Sequence, residues 1–142
     1  MNETWDGVPV AQDPPYACCV VVSRAVDAGR EFLVLHRAHH GPEYAGDWAW
    51  TPPSGARQPG EEPDAAATRE LREETGLELT VTRVEPLEDD VALYVAEAPA
   101  RAEVELDAEH DGFRWLPLQE AAALCLPARV AEGLRHAAAV LP

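Results

Sequence analysis

The sequence contains no lysine: all 11 of its basic residues are arginines, against 26 acidic residues, which gives a formal charge of −15. The absence of lysine excludes Schiff-base chemistry on a lysine amine. The acidic balance argues against binding of long nucleic acid, because such binding needs a basic surface. A small phosphorylated ligand remains compatible with this charge, because a bound metal ion reverses the field locally.

Cysteine and histidine are scarce and show no ligand spacing. The three cysteines (Cys18, Cys19 and Cys125) have neither the spacing of a zinc site nor the even number of a disulfide framework. This usage predicts reduced, buried thiols in a cytoplasmic protein. Three of the histidines also lack metal-ligand spacing, and we expect them at the surface or in loops: His36, His39 and His40.

Long apolar runs are absent as well. No run approaches the roughly 20 residues that a membrane span needs, and the acidic, polar start of the chain does not resemble a signal peptide, so no membrane partner is expected. A chain of 142 residues is one domain of ordinary size. We expect a flexible N-terminal arm over residues 1–15 and a single domain over residues 16–142.

Hydrophobic patterning and turn residues predict an α/β fold. A central helix should begin at Pro63 and end before Gly76, since proline suits a first helical position and glycine a helix stop. Strands on both sides of this helix, followed by terminal helices, favour a layered arrangement. Strands are predicted over 17–26, 31–37, 48–51, 77–84, 91–96 and 113–116, and further helices over 118–124 and 128–140.

Residues 55–77 are the most informative segment, because three glutamates fall within five positions of the predicted central helix: Glu70, Glu73 and Glu74. Side chains at i, i+3 and i+4 share one helix face, where like charges repel. A cation should compensate them, and hard divalent ions prefer clustered carboxylate oxygens. A solvated acidic face is the alternative.

The same segment resembles the signature of the Nudix hydrolases, which we call the Nudix box. Its pattern is Gly, five residues, Glu, seven residues, Arg-Glu, an aliphatic residue, any residue, Glu-Glu, any residue, Gly and an aliphatic residue. A match at this many fixed spacings is specific. Every specified position is filled, by Gly55, Glu61, Arg69, Glu70, Leu71, Glu73, Glu74, Gly76 and Leu77.

The resemblance implies an α/β/α sandwich with a mixed β-sheet and a site for Mg²⁺ or Mn²⁺. Glu70 and Glu74 would coordinate the ion, Glu73 would join directly or through water, and the Gly55 carbonyl would complete the site. Arg69 would orient the carboxylates, with Glu61 as its partner. The family hydrolyses a nucleoside diphosphate linked to another group, and a carboxylate takes the proton of the attacking water.

A second carboxylate candidate lies outside the Nudix box. Residues 109–116 resemble a Glu-His-(Asp)-x-aromatic-x-Trp stretch of dinucleoside polyphosphate and dihydroneopterin triphosphate hydrolases, in which that glutamate reaches the metal site. The resemblance therefore implies a catalytic role for Glu109, beside Arg69 and Glu73. Asp107 and Asp111 compete for this role, and an exposed acidic loop is the alternative.

Three residues are candidates for substrate binding. Trp50, like Trp48, could stack a base, although core packing is the alternative for both. Arg37, at the end of its strand, matches a position where family members often hold phosphate, and a surface arginine is the alternative. Tyr94 matches the place of a tyrosine in dinucleoside tetraphosphate hydrolases, but a strand tyrosine facing a neighbour is equally compatible with the sequence.

Together these residues predict a metal-dependent Nudix pyrophosphohydrolase. The preferred substrate is a dinucleoside polyphosphate or a (d)NTP-like triphosphate, including a pterin triphosphate, and a homodimer is compatible with the sequence. The rival is a non-catalytic Nudix ligand sensor or protein-interaction domain. Such domains usually lose carboxylates of the Nudix box, and this chain has lost none.

Overall fold

The computed structural model describes residue 7 and residues 9–142. Its strands are β1 (Ala17–Val26), β2 (Gly29–Arg37), β3 (Trp50–Thr51), β4 (Ser54–Ala56), β5 (Thr82–Val84), β6 (Val91–Ala98) and β7 (His110–Leu116). Its helices are α1 (Pro63–Thr75), α2 (Leu118–Leu124) and α3 (Ala128–Ala138). Strand β4 was not predicted, and only residues 82–84 of the strand predicted over 77–84 pair in the sheet.

All seven strands form one mixed sheet. The main path runs β3-β2-β1-β6-β5, while β4 pairs with β1 and β7 pairs with β2. Strands β1 and β6 are parallel, from Ala17 opposite Val91 to Arg24 opposite Ala98, and the other pairings are antiparallel. Because β1 and β6 are parallel, the intervening chain must cross over one face of the sheet, and α1 lies in that crossover.

Both faces of the sheet are buried, because β1 and β2 alternate their apolar side chains between two cores. Leu33 and Leu35 face the core that contains Leu71 of α1. Phe32 and Val34 face the opposite core, which contains residues of α2 and α3 such as Leu134. Burial of each such side chain contributes about 1.5–3 kcal/mol to folding. The three layers confirm the predicted α/β/α sandwich.

Helix α1 is fixed at both ends. Pro63 opens it, and the Tyr94 hydroxyl on β6 donates a hydrogen bond to Asp64 in its first turn, at 2.7 Å. Gly76 ends it in the left-handed conformation (φ 74°) and donates its N–H to the Arg72 carbonyl at 2.8 Å. This anchoring holds the glutamate-bearing turns of α1 against β1 and β4.

Residues 9–15 of the predicted arm contact the domain through buried Arg57. The Ala11 N–H donates to the Arg57 carbonyl at 2.7 Å, and the Arg57 guanidinium donates to the carbonyls of Asp13, Pro15 and Glu61 at 2.6–2.8 Å. Residues 1–6 and 8 of the arm lie outside the described residues, so its flexibility stays a prediction. None of the helices in residues 7 and 9–142 is long and apolar enough to cross a membrane.

Candidate active site

A cleft of about 1380 Å³ lies beside α1 and β4, and the loops before β3 and β7 and the start of α3 also line it. Most of the predicted site residues meet in this cleft, although they come from distant parts of the sequence. Those that line it are Arg37, Gly55, Arg69, Glu70, Glu73, Glu74 and Glu109.

Glu70 and Glu74 form a hydrogen-bonded carboxyl pair at the base of the cleft. Glu74 is 2% exposed, and the Ser54 N–H donates to its Oε1 at 3.1 Å. Burial raises the pKa of both carboxyls, and the hydrogen bond and the charge of Glu70 raise the pKa of Glu74 further. A buried carboxyl and a partly buried one that disfavour simultaneous ionisation form a site where a cation relieves repulsion and displaces a proton.

Gly55 on β4 lies directly against the Glu70 carboxyl group. A Cβ atom at position 55 would collide with all three carboxyl atoms of Glu70. Strand β4 is held in place by pairing with β1, where Gly55 lies opposite Cys18. The glycine in the Nudix box therefore leaves the space that the carboxylate occupies.

Arg69 connects the carboxylates of the Nudix box. Its guanidinium donates to both Glu61 oxygens at 2.8 and 3.0 Å, to Glu70 at 2.9 Å and to Glu73 at 3.2 Å. It also donates to the Ala56 carbonyl at 3.1 Å. The hydrogen bond from Arg69 lowers the pKa of Glu61, which stays an anionic anchor for the arginine. The predicted pairing of Arg69 with Glu61 is thus present.

The donor set fits a hard divalent ion. It consists of carboxylate oxygens, including those of Glu70 and Glu74, and Gly55 carries no side chain that would displace the Glu70 carboxyl. Within residues 7 and 9–142 no three His, Cys, Asp or Glu side chains are already arranged to hold an ion. Glu73, the predicted third member, is bound by Arg69 and its side chain is 53% exposed.

Glu109 lies immediately before β7 and is exposed at the cleft. Its carbonyl accepts the Ala38 N–H at 2.9 Å, which fixes the backbone beneath the side chain. Of its two competitors, Asp107 also lines the cleft and is hydrogen-bonded to the His110 ring at 2.8 Å. Asp111 does not line the cleft and is bound to His36 instead.

Comparison with known proteins identifies the family, since the NUDIX domain model matches residues 14–139. The chain belongs to the Nudix family. A mouse bis(5'-nucleosyl)-tetraphosphatase (asymmetrical) is 34% identical over 110 residues, covering 66% of this chain and 69% of the relative. The Caenorhabditis elegans enzyme of the same name is 27% identical over 137 residues, or 88% and 95% of the two chains.

Solved structures agree with this assignment. The C. elegans Ap4A hydrolase in a binary complex superposes with a TM-score of 0.70 at 28% identity, covering 87% of this chain and 95% of that one. The Escherichia coli dihydroneopterin triphosphate pyrophosphohydrolase shares the fold, with a TM-score of 0.67 at 20% identity over 89% and 96% of the chains. The protein is a Nudix hydrolase, an enzyme of phosphoric anhydride bonds.

His36 was expected at the surface or in a loop of this Nudix domain, and that prediction is wrong. The ring is 2% exposed, with Nδ1 2.5 Å from Asp111 and Nε2 2.6 Å from the Tyr44 carbonyl. It therefore joins the loop before β3 to β7, two sides of the cleft. The signal was present in the sequence, because His36 alternates with Phe32 and Val34 on one buried face of β2.

Two of the three predicted substrate residues of the Nudix domain do not line the cleft. The Trp50 ring lies 4.8 Å from the His36 ring and 4.8 Å from the Arg114 guanidinium. Tyr94 is fully buried, with its hydroxyl bound to Asp64. These contacts favour the packing alternatives that the sequence left open for both residues.

Proposed function

We propose that this Nudix hydrolase is a Mg²⁺-dependent pyrophosphohydrolase, with Mn²⁺ as a substitute, and that it prefers a dinucleoside polyphosphate over a nucleoside-triphosphate-like substrate. The observation that carries the proposal is the pairing of buried Glu74 with Glu70, which lies against Gly55, in the same cleft as Arg37. Nudix hydrolases generally use divalent metal ions. The names of the mouse and C. elegans relatives support the substrate preference.

The chain's residues divide the chemistry between them. A divalent ion on Glu70, Glu74 and the Gly55 carbonyl would neutralise phosphate charge and acidify a bound water. Arg69 fixes the positions of the Nudix box carboxylates through its hydrogen bonds to Glu61 and Glu70. Glu109, which is exposed at the cleft, accepts the proton of the attacking water.

A substrate panel tests this proposal. Diadenosine tetraphosphate, nucleoside triphosphates, dihydroneopterin triphosphate and ADP-ribose are incubated in oxygen-18 water with Mg²⁺ or with excess chelator, and the products are analysed by mass spectrometry. We expect Mg²⁺-dependent cleavage, fastest with diadenosine tetraphosphate. Cleavage of ADP-ribose at least as fast as that of every other compound would contradict the substrate assignment.

Arg37→Ala is expected to weaken polyphosphate binding by about 1.5–3 kcal/mol, the usual contribution of a charged hydrogen bond. Arg37 lines the cleft at the end of β2, where it can reach phosphate oxygens. The measurement is the dissociation constant of a non-hydrolysable diadenosine tetraphosphate analogue. The control is Arg101→Ala, which removes an exposed arginine outside the cleft. If both changes weaken binding of the analogue equally, the loss comes from the change in net charge and not from a contact of Arg37 with phosphate.

Gly55→Ala is expected to lower kcat/KM about tenfold, the size of effect seen when groups that orient metal ligands are altered. The added methyl group displaces the Glu70 carboxyl, which is the flexible end of a side chain, so the melting temperature should change little. Gly112→Ala on β7 is the control, because its Cβ would meet only the His36 Cβ at 4.0 Å. Full activity of Gly55→Ala would show that the position of Glu70 is not critical.

The proposal also includes a cytoplasmic location and a homodimer. All three cysteines are free, and Cys18 and Cys125 are buried, which agrees with a reducing compartment. Light scattering of the purified protein measures the assembly directly.

A further inference from the structure

Trp48 has an unusual backbone conformation. It is the one non-glycine residue with positive φ (66°) among residues 7 and 9–142. Bulky residues rarely adopt this region, and such conformations cluster at ligand sites where the surrounding structure holds them. Here the Trp48 N–H donates to the Leu126 carbonyl at 2.6 Å, and the next carbonyl, of Ala49, accepts the Arg37 N–H at 2.9 Å.

The side chain of Trp48 is presented to the cleft rather than packed in the interior. It is 38% exposed, it lines the cleft, and it belongs to neither hydrophobic core. Core packing, the alternative that the sequence left open for this residue, is therefore not its role. A large exposed ring held in a strained conformation is suited to stacking against a planar ligand.

Two arginines accompany the ring. The guanidinium carbon of Arg129 lies 5.0 Å from the centroid of the Trp48 ring, and that of Arg37 lies 5.9 Å from it. Both arginines line the same cleft as the Nudix box glutamates. In a chain of formal charge −15, two cations beside one exposed indole form a local site for an aromatic ligand that carries negative charge.

The size of the cleft agrees with a ligand longer than one nucleotide. Its volume of about 1380 Å³ exceeds the roughly 300–1000 Å³ of ordinary small-molecule sites. The glutamates can hold only the phosphate region of a substrate, so a substrate with two nucleosides needs a separate surface for a second base.

We propose that Trp48, with Arg37 and Arg129, is a stacking platform for one base of a dinucleoside polyphosphate, and that it selects substrates with two nucleosides over those with one. This rests on the proposed function and deepens it. The two guanidiniums lie over the Trp48 ring in the structure, so a base that stacks on the ring displaces a guanidinium from that face, and the arginines then contact the phosphates next to that nucleoside. The sequence analysis named Trp48 as a candidate for stacking and Arg37 as a candidate for phosphate binding, but it did not find Arg129, which is distant in sequence and lies on α3.

The test compares diadenosine tetraphosphate with adenosine 5'-tetraphosphate, which carries the same number of phosphates but one nucleoside. Trp48→Ala should lower kcat/KM for the dinucleoside about 5- to 150-fold, the range for loss of one base stack, and change the other substrate less than about threefold. Trp48→Phe, which retains an aromatic face, should retain most activity. Trp115→Phe, a tryptophan outside the cleft, is the control. An equal loss on both substrates would overturn the proposed selectivity.

A binding measurement separates this inference from the proposed function. Calorimetry with a methylene-bridged diadenosine tetraphosphate analogue needs no turnover, and Trp48→Ala should abolish its tighter binding relative to adenosine 5'-tetraphosphate. If the wild-type enzyme cleaves diadenosine tetraphosphate and Trp48→Ala binds the analogue and cleaves the substrate as well as the wild type does, the stacking platform is wrong and the proposed function stands. If the wild-type enzyme cleaves no dinucleoside polyphosphate but Trp48→Ala still weakens binding of the analogue, the proposed function is wrong and the stacking platform stands.

Discussion

Glu74→Gln is expected to reduce hydrolysis at least about tenfold to a hundredfold, and excess chelator to abolish it in the parent enzyme. The substitution keeps the shape of a buried side chain while removing one of the two charges that would bind the ion. The measurement is kcat against Mg²⁺ and Mn²⁺ concentration, with restoration after chelation. Glu78→Gln, at an exposed position just past α1, is the matched control. Undiminished hydrolysis in excess chelator would refute the metal requirement.

The same variant should be no less stable than the parent when both are metal-free. The folded pKa of Glu74 is raised well above its usual 4.5, chiefly by burial. As the pH rises above 4.5, the unfolded carboxyl loses its proton first, so the folded state loses stability until the pH passes the raised pKa. Glutamine cannot ionise and avoids this loss. In chelator, the melting temperature should therefore fall more between pH 5 and pH 8 for the parent than for Glu74→Gln.

Much of the fold could be predicted from local signals in the sequence. The predicted start of α1 at Pro63 and its end before Gly76 are confirmed, because both residues act on their own backbone. Strand β4 could not be predicted in the same way. A run of Ser-Gly-Ala has no strand propensity, and these residues are extended because β1 lies beside them. Residues 77–81 have a strand-like pattern but no partner strand.

The same distinction between local signals and contacts of distant segments applies to the residues of the candidate site. Glu70 and Glu74 lie one turn apart on a helix, so their spacing alone predicts that they meet. The contacts of His36 with Asp111, and of Trp48 with Arg129, join segments that are distant in sequence, and no spacing encodes these contacts. Tyr94 shows the limit of a resemblance at a single position, because its hydroxyl anchors α1 at Asp64 and does not face the cleft.

Glu109→Gln should lower kcat about a hundredfold or more with little change in substrate affinity, since a positioned general base contributes about 10²–10⁴ to rate. The backbone of Glu109 is fixed by the Ala38 hydrogen bond, so the substitution should leave the loop in place. Glutamine keeps the length of the side chain but cannot take up a proton. The measurement is kcat and the dissociation constant of a non-hydrolysable analogue, at saturating Mg²⁺.

Glu103→Gln is the control for this change, because Glu103 is exposed on the same acidic segment but does not line the cleft. A large loss at Glu109 with none at Glu103 separates proton transfer from the general effect of removing one negative charge. Equal, small effects at both positions would return the base to the Nudix box. Glu73 would then be the candidate, and because Arg69 donates to its carboxylate at 3.2 Å, that contact would have to break before Glu73 could accept a proton.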